Sequence, residues 1–275
     1  MSKIDFRDPA QNLRAFVKLL GDLDPDKVAY SWFGGHIFAY VGNRPAQMLC
    51  GVEGFGVLRC DPQPGDKYRI LNREIAFYSN PFTGQYLDHW KNPLNGTDCE
   101  PQPIHNHYVA AELSPVMKMD FEGTLREFPF TPPWTILGED VFQVFEVHTA
   151  YPSPMKPQDW PRESPGELIR ISEIFQRTAK LADVEDASRT STHYTGTWTR
   201  IGPWLPWMLM GQAEGHIMYR TFMKKLYSID ELPAQLRAAT EKRYPEFFAA
   251  PQRSDWGTPN DSSWGTYMKE NRPRR

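Results

Sequence analysis

Residues 28–60, VAYSWFGGHIFAYVGNRPAQMLCGVEGFGVLRC, are the stretch that decides the fold. Two aromatic and β-branched runs, residues 28–41 and 47–60, flank a short polar segment. Such residues favour strands. The second run also contains three glycines, which inside a strand indicate bulges or the close approach of another backbone. The stretch therefore predicts two consecutive strands, the second of them irregular.

The same strand-like pattern recurs along most of the chain. Further strands are predicted over residues 69–79, 85–90, 104–112, 123–130, 141–151, 192–200 and 216–226. Residues 80–84, NPFTG, predict a hairpin turn between two of them. Residues 167–179 fit either a helix or a strand.

Two helices are predicted near the ends of the chain. Asp8 and Pro9 precede apolar residues at helical spacing, which indicates an N-cap followed by proline in the first turn. Ser228 and Glu231 match a capping box, which predicts a helix from there to about Tyr244.

Nine or ten short strands without alternating helices favour one antiparallel sheet system. We expect a mainly β (α+β) fold, an antiparallel barrel or strongly curved sheet, lipocalin- or calycin-like, with N- and C-terminal helices. Such barrels bind small ligands in the mouth or lumen. We expect a single domain over residues 1–275, with a core of about 27–250 and a polar tail, residues 252–275, that wraps the surface or frays.

Composition excludes several classes of partner. The net charge of −3 and the pI near 6.2 give no basic face, so we expect no nucleic-acid partner. No run approaches 18 apolar residues and the first residues lack the apolar region of a signal peptide, so we expect a cytoplasmic protein with no membrane partner. The three cysteines lack C-x-x-C spacing, which indicates buried, reduced thiols.

Residues 196–220, GTWTRIGPWLPWMLMGQAEGHIMYR, are unusually rich in Trp and Met. Pro203 and Pro206 prevent a regular strand or helix between them, so the segment is expected to be a rigid loop. Rigid Trp and adaptable Met suit the wall of a site for a flat aromatic ligand, and Arg200 could bind its carboxylate or phenolate. The candidate substrate-binding residues are Trp198, Trp204, Trp207, Met208, Met210 and Tyr194. Two alternatives are a loop that seals the core and a homodimer contact.

Histidines are the first candidates for proton transfer. His105 and His107 lie two apart on a predicted strand, so both point to one face, and His89 lies on a predicted strand nearby. The same three could ligate a metal, but no acidic residue completes a known signature, so we predict neither metal nor cofactor. Tyr78 and Tyr108 could donate hydrogen bonds to an oxyanion. The candidate catalytic residues are therefore His107 first, then His89 and His105, with Arg200, Tyr78 and Tyr108.

Glu146 and His148 form a further candidate pair, because they share one face of a predicted strand. They could act as a carboxylate–imidazole dyad, although an exposed pair on the solvent face is the favoured interpretation. The chain has no G-x-G-x-x-G after a strand, no Walker loop and no G-x-S-x-G elbow, which disfavours Rossmann, P-loop and α/β-hydrolase enzymes.

Two long motifs, YRILNREIAFYSNPFTGQYLDHWKNPLNG and WTRIGPWLPWMLMGQAEGHIMYR, resemble a bacterial family known as domain of unknown function 1838. The resemblance runs from about Lys27 to Leu226. It implies small bacterial proteins, often encoded among genes for aromatic or other hydrophobic compounds. The sequence is also loosely similar to cofactor-independent lyases that cleave lignin-derived aromatic dimers.

These observations favour a cofactor-independent lyase acting on a small hydrophobic aromatic substrate. For a lignin-derived phenolic dimer, acid–base catalysis would open a C–O bond with loss of formaldehyde or carbon dioxide. The first alternative is a non-catalytic, lipocalin-like binder of hydrophobic ligands, and the second is a metalloenzyme that uses the three histidines. A homodimer is expected from the aromatic loop.

Overall fold

A computed structural model describes residues 3–121 and 124–274. Within these ranges the α-helices are α1 Pro9–Leu20, α2 Leu181–Glu185, α3 Ala234–Arg243 and α4 Ser263–Glu270. The strands are β1 Ala29–Tyr40, β2 Gln47–Gln63, β3 Lys67–Ser79, β4 Trp90–Lys91, β5 Asp98–Cys99, β6 Ile104–Leu113, β7 Val116–Phe121, β8 Thr124–Pro129, β9 Trp134–Leu137, β10 Asp140–Pro152, β11 Leu168–Lys180, β12 Thr195–Gly202 and β13 His216–Leu226. Gly123, the predicted first residue of the strand over residues 123–130, lies outside the described residues.

Nine of these strands form one antiparallel sheet in the order β6-β3-β2-β1-β13-β12-β11-β10-β9. The sheet curls into a half-barrel, so it has a concave and an outer face. This confirms the expected mainly β fold with a strongly curved antiparallel sheet and terminal helices. The undecided residues 167–179 belong to a strand, β11. The single-domain expectation stays a prediction.

Glycines allow neighbouring backbones of the sheet to approach closely. A Cβ atom built on Gly54 would lie 2.3 Å from the carbonyl oxygen of Ile75, and one on Gly196 would lie 1.9 Å from that of Gln176. Both distances are far inside van der Waals contact, so any side chain there would push the strands apart. The close approach predicted for the glycines of β2 is therefore present at Gly54.

Apolar elements fill the two ends of the concave face. At one end α1 begins after Asp8, whose side chain accepts from the Gln11 N–H, and buries Phe16 among residues of β2, β3 and β6. At the other end lies the plug loop, residues 203–211, whose Trp204 and Trp207 are buried beside β1, β2 and β13. The middle of the concave face is left to polar side chains.

The prediction of a strand over residues 85–90 is wrong. The turn at residues 80–84 forms, but only one bridge, Ser79 to Tyr86, follows it. The reason is that β6 already occupies the same edge of β3 from Tyr68 to Ala76, so the returning chain can pair only with the end of β3. It then leaves the sheet and packs on the plug loop, where the Asn92 amide donates to the Met208 carbonyl.

The helix predicted to begin at Ser228 starts later. The capping box of Ser228 and Glu231 is present, but it closes only a 3-10 turn, Ile229–Glu231. Pro233 has no N–H to continue that turn, and α3 begins after it, at Ala234. α3 and the following turn pack on the outer face over β2 and β3.

The C-terminal tail wraps the sheet over its described part and also forms a helix. Asp261 bonds the backbone of Tyr108 on β6, which satisfies part of this sheet edge. α4 follows and buries Trp264 and Tyr267 against the plug loop. None of the helices in residues 3–121 and 124–274 has the length and apolar content that crossing a membrane requires.

Candidate active site on the concave face

Two cross-strand pairs form the polar layer of the concave face. Glu74 of β3 stands opposite Asn106 of β6, and Glu173 of β11 stands opposite Arg200 of β12. Although three strands separate the two pairs in the sheet order, Glu173 and Arg200 both influence the pKa of Glu74. The curl of the sheet therefore brings the two pairs towards each other across its interior.

Glu74 has the surroundings of a proton donor. Burial raises the pKa of its carboxyl group and the negative charge of Glu173 raises it further, whereas Arg200 and a hydrogen bond from Asn106 lower it. That bond runs from Asn106 Nδ2 to Glu74 Oε1 and measures 2.5 Å. Because the net shift is upward, Glu74 keeps its proton at a pH where an ordinary glutamate has lost it. Such a group can serve as a general acid.

Arg200 is almost enclosed, with 9% of its surface exposed. Its Nε lies 3.6 Å from Oε1 of Glu173, and its guanidinium lies over the rings of Tyr219 and Trp264, at 5.4 and 5.7 Å from their centroids. Within the described residues, its terminal nitrogens make no hydrogen bond. The guanidinium fork is thus available to a ligand.

Tyrosine hydroxyls surround the charged groups. Burial raises the pKa of Tyr219 to about 12, against an opposing effect of Arg200. Burial likewise raises the pKa of Tyr151, and the positive charge of Arg200 again opposes this rise. Burial and the neighbouring Tyr219 raise the pKa of Tyr78, whose ring lies 4.8 Å from Trp207. All three hydroxyls are therefore proton donors at neutral pH.

Of the predicted substrate-binding residues, Trp198 lies beside this polar layer. Its half-buried ring lies 5.1 Å from Phe33 and 5.4 Å from Tyr219. The other five are placed elsewhere: Trp204, Trp207 and Met208 are buried in the plug loop, Met210 at its end meets Asn92, and Tyr194 stacks near Arg177 beside α1. Most of the Trp- and Met-rich segment is therefore core at the end of the site.

The predicted catalytic histidines do not join Arg200. His105 and His107 share a face, as expected, but it is the outer face, because Asn106 between them points inward. His105 is buried, with Nε2 2.8 Å from Oε1 of Glu270, and the half-exposed His107 packs on Phe247.

The remaining candidates are also dispersed. His89 is exposed in a loop, and Tyr108 is buried with no hydrogen-bond partner for its hydroxyl among the described residues. Glu146 and His148 do pair, at 3.2 Å, but both are more than half exposed on the outer face. Among the described residues, no group of three or more His, Cys, Asp or Glu side chains is arranged to hold a metal ion.

Sequence reasoning missed Glu74, Asn106 and Glu173. A signal for two of them was present: Asn106 alternates with two histidines, and Glu74 shares its strand face with the apolar residues Ile70, Ala76 and Tyr78. For Glu173 the signal was hidden, because residues 167–179 could not be assigned to a strand. The site is therefore built from strand positions whose inward direction follows from alternation alone.

A family described as "Protein of unknown function (DUF1838)" matches residues 26–272. The chain belongs to this family. The match includes both cross-strand pairs, the plug loop and α4, and it confirms the resemblance seen in the two long motifs. No curated protein matches the chain of this DUF1838 member.

Proposed function

We propose that the protein is a cofactor-independent lyase that performs acid–base chemistry on a hydrophobic aromatic small molecule at the concave face. The observation that carries the proposal is a carboxyl group with a raised pKa, Glu74, facing the Glu173–Arg200 ion pair. Two carboxyl groups in different surroundings are a recurring arrangement for one acid and one base. Trp198 provides an aromatic surface beside them.

For a phenolic dimer, the first step breaks the C–O bond at the benzylic carbon, the carbon attached to the phenol ring. Glu173 takes the phenolic proton, the ring electrons form a quinone methide, and the electron pair of the broken C–O bond goes to the departing oxygen. Glu74 donates its proton to that oxygen. The Tyr hydroxyls stabilise the negative charge that develops on the ring oxygen.

The second step restores aromaticity. Glu74, now a carboxylate, removes the proton of a neighbouring hydroxymethyl group, the C–C bond breaks, and formaldehyde leaves. The bonding electrons return to the quinone methide, and Glu173 gives its proton back to the ring oxygen. Both glutamates are regenerated without an external oxidant or reductant. Where the substrate carries a carboxylate in place of the hydroxymethyl group, carbon dioxide leaves instead, and Glu74 regains its proton from water.

The test is turnover of a panel of phenolic aromatic dimers, followed by mass spectrometry with assays for formaldehyde and carbon dioxide. We expect turnover without added cofactor, and a loss of about 10²–10⁴-fold in kcat for Glu74→Gln. His107→Ala is the matched control, because His107 lies on the outer face, and it should leave kcat unchanged. Equal turnover by the Glu74→Gln protein would remove the proposed mechanism. Binding without turnover across the panel would instead support the lipocalin-like carrier.

Location and assembly belong to the same proposal. We propose a cytoplasmic homodimer with no nucleic-acid or membrane partner. The outer face of β13 offers a surface for the second copy, since Phe222 is 70% exposed there. Light scattering of wild type and Phe222→Lys would test this: a monomer in both cases removes the dimer.

A further inference from the structure

Arg200 lacks the partners that a nearly buried arginine normally has. Buried charges are expected to be paired and hydrogen-bonded, because desolvation without compensation is costly. Only Nε meets a carboxylate, at 3.6 Å from Glu173, which is too long for a hydrogen bond. No acceptor among the described residues meets the two terminal nitrogens. The guanidinium therefore carries unused donors that point to a ligand.

The side chains around Arg200 also carry donors without partners. Tyr219 Oη, Trp198 Nε1 and Trp264 Nε1 are buried and have no hydrogen-bond partner among the described residues. An indole N–H can only donate. Tyr219 and Trp264 flank the guanidinium, and the Trp198 ring lies 5.4 Å from Tyr219. Buried donors that lack a partner and lie beside a guanidinium are suited to an anionic oxygen ligand.

We infer that the substrate carries a carboxylate and that the Arg200 fork binds it, with the Tyr219 hydroxyl and the Trp198 indole as neutral donors. This rests on the proposed function for the aromatic part of the substrate. A planar fork with two free terminal nitrogens matches the two oxygens of a carboxylate, whereas a phenolate offers only one. Because burial raises the pKa of Glu74, this carboxyl group opposes an incoming anion less than an ordinary glutamate would.

Three small probes separate a carboxylate from a phenol. Cinnamate carries only the carboxylate, methyl 4-hydroxycinnamate carries only the phenol, and 4-hydroxycinnamate carries both. Isothermal titration calorimetry of the full chain should show binding of both acids and at least about tenfold weaker binding of the ester. That ratio corresponds to the loss of one charge-assisted hydrogen bond.

Variants assign the effect to the site. Arg200→Lys keeps the charge but not the fork and should weaken cinnamate binding about 10- to 100-fold, with little change for the ester. Tyr219→Phe removes one neutral donor and should weaken cinnamate binding about 2- to 10-fold. The control is Arg170→Lys on β11, an exposed arginine of the outer face, which should bind as wild type does. Circular dichroism checks that each variant is folded. If Arg200→Lys is not folded, Tyr219→Phe alone tests the carboxylate site.

Three results would overturn the inference. The first is that wild type does not bind cinnamate at millimolar concentration, and the second is that the acid and the ester bind equally well. The third is an unchanged cinnamate affinity in Arg200→Lys, or in Tyr219→Phe if Arg200→Lys does not fold. These outcomes are separate from the lyase proposal, which depends on turnover and on Glu74. A chain that cleaves neutral dimers but ignores carboxylates would keep the lyase and lose the carboxylate. A chain that binds cinnamate through Arg200 without turnover would do the reverse.

Discussion

Replacing Glu74 by Gln should change how the stability of the protein depends on pH, and this can be measured without a substrate. The carboxamide keeps an oxygen that can accept the hydrogen bond of Asn106, but it carries no ionisable proton. Because burial and Glu173 raise the pKa of Glu74, the folded state holds this proton where the unfolded state has released it. Folding is therefore favoured by the proton at low pH, and this contribution is lost as the pH rises through the folded-state pKa.

The size of the effect follows from proton linkage. A single group changes the free energy of unfolding by at most about 1.4 kcal/mol per pH unit, between the unfolded-state and folded-state pKa values. Wild type should lose stability at up to this slope above the ordinary pKa of glutamate, whereas Glu74→Gln should lack this contribution. The stability of the variant relative to wild type should therefore grow with pH and level off above the folded-state pKa of Glu74.

Urea denaturation at half-unit steps from pH 4.5 to 8 measures this difference directly, because all other titrating groups largely cancel between the two proteins. Glu139→Gln is the control, since 90% of the Glu139 side chain is exposed, and its curve should run parallel to that of wild type. Parallel curves for Glu74→Gln as well would refute the assignment of a raised pKa. A relative stability that falls with pH would mean that Glu74 is stabilised as an anion.

Three further predictions concern the fold. Gly196→Ala places a Cβ 1.9 Å from the Gln176 carbonyl oxygen and should lower the free energy of unfolding by about 1–3 kcal/mol or more in chemical denaturation. Gly56→Ala should cost less, because the nearest atoms to its Cβ are side-chain oxygens at 3.2 Å. Equal costs for the two variants would contradict the explanation by close approach of the strands. Trp264→Ala should cost about 3–5 kcal/mol because Trp264 anchors α4, and an unchanged Tm would show that α4 adds nothing to the core. Burial raises the pKa of Cys60 to about 12 and of Cys99 to about 11, and Cys50 is also buried. A thiol reagent at pH 8 should therefore label the native protein slowly, whereas it should label three thiols after denaturation. Rapid labelling of the native protein would contradict the burial of the cysteines.

The sequence predicted the sheet well because its strands are long and most carry a two-residue alternation. The errors arose where a local signal competed with tertiary pairing. Residues 85–90 have a strand-like composition, but β6 occupies the edge of β3 that they would need. The capping box at Ser228 is real, yet Pro233 two residues after it limits the turn. Neither outcome is visible without knowing which strands are neighbours, or how strongly one proline interrupts a helix.

The candidate site was predicted only in part, because strand alternation was applied to the histidines and not to the residue between them. Once His105 and His107 share a face, Asn106 must take the other, and that face is the concave one, where Asn106 meets Glu74. The same reasoning applies to Arg200, which was identified from its aromatic neighbours. Its partner Glu173 is distant in sequence and is found only through the β11–β12 register.

The polar layer is costly for the fold, and this cost is the strongest reason to regard it as functional. The strands around it could have carried Val or Leu at the positions of Glu74, Glu173 and Arg200, since apolar residues already fill both ends of the concave face. Replacing buried ion pairs with packed apolar side chains is often neutral or stabilising. Within the part of the chain that the structure describes, the site instead retains a carboxyl group with a raised pKa, a guanidinium without hydrogen bonds and indole donors without acceptors, which is a poor arrangement for stability alone. It is well arranged for a bound molecule that supplies the missing acceptor atoms, because each unpaired donor then gains a partner only when the ligand is present.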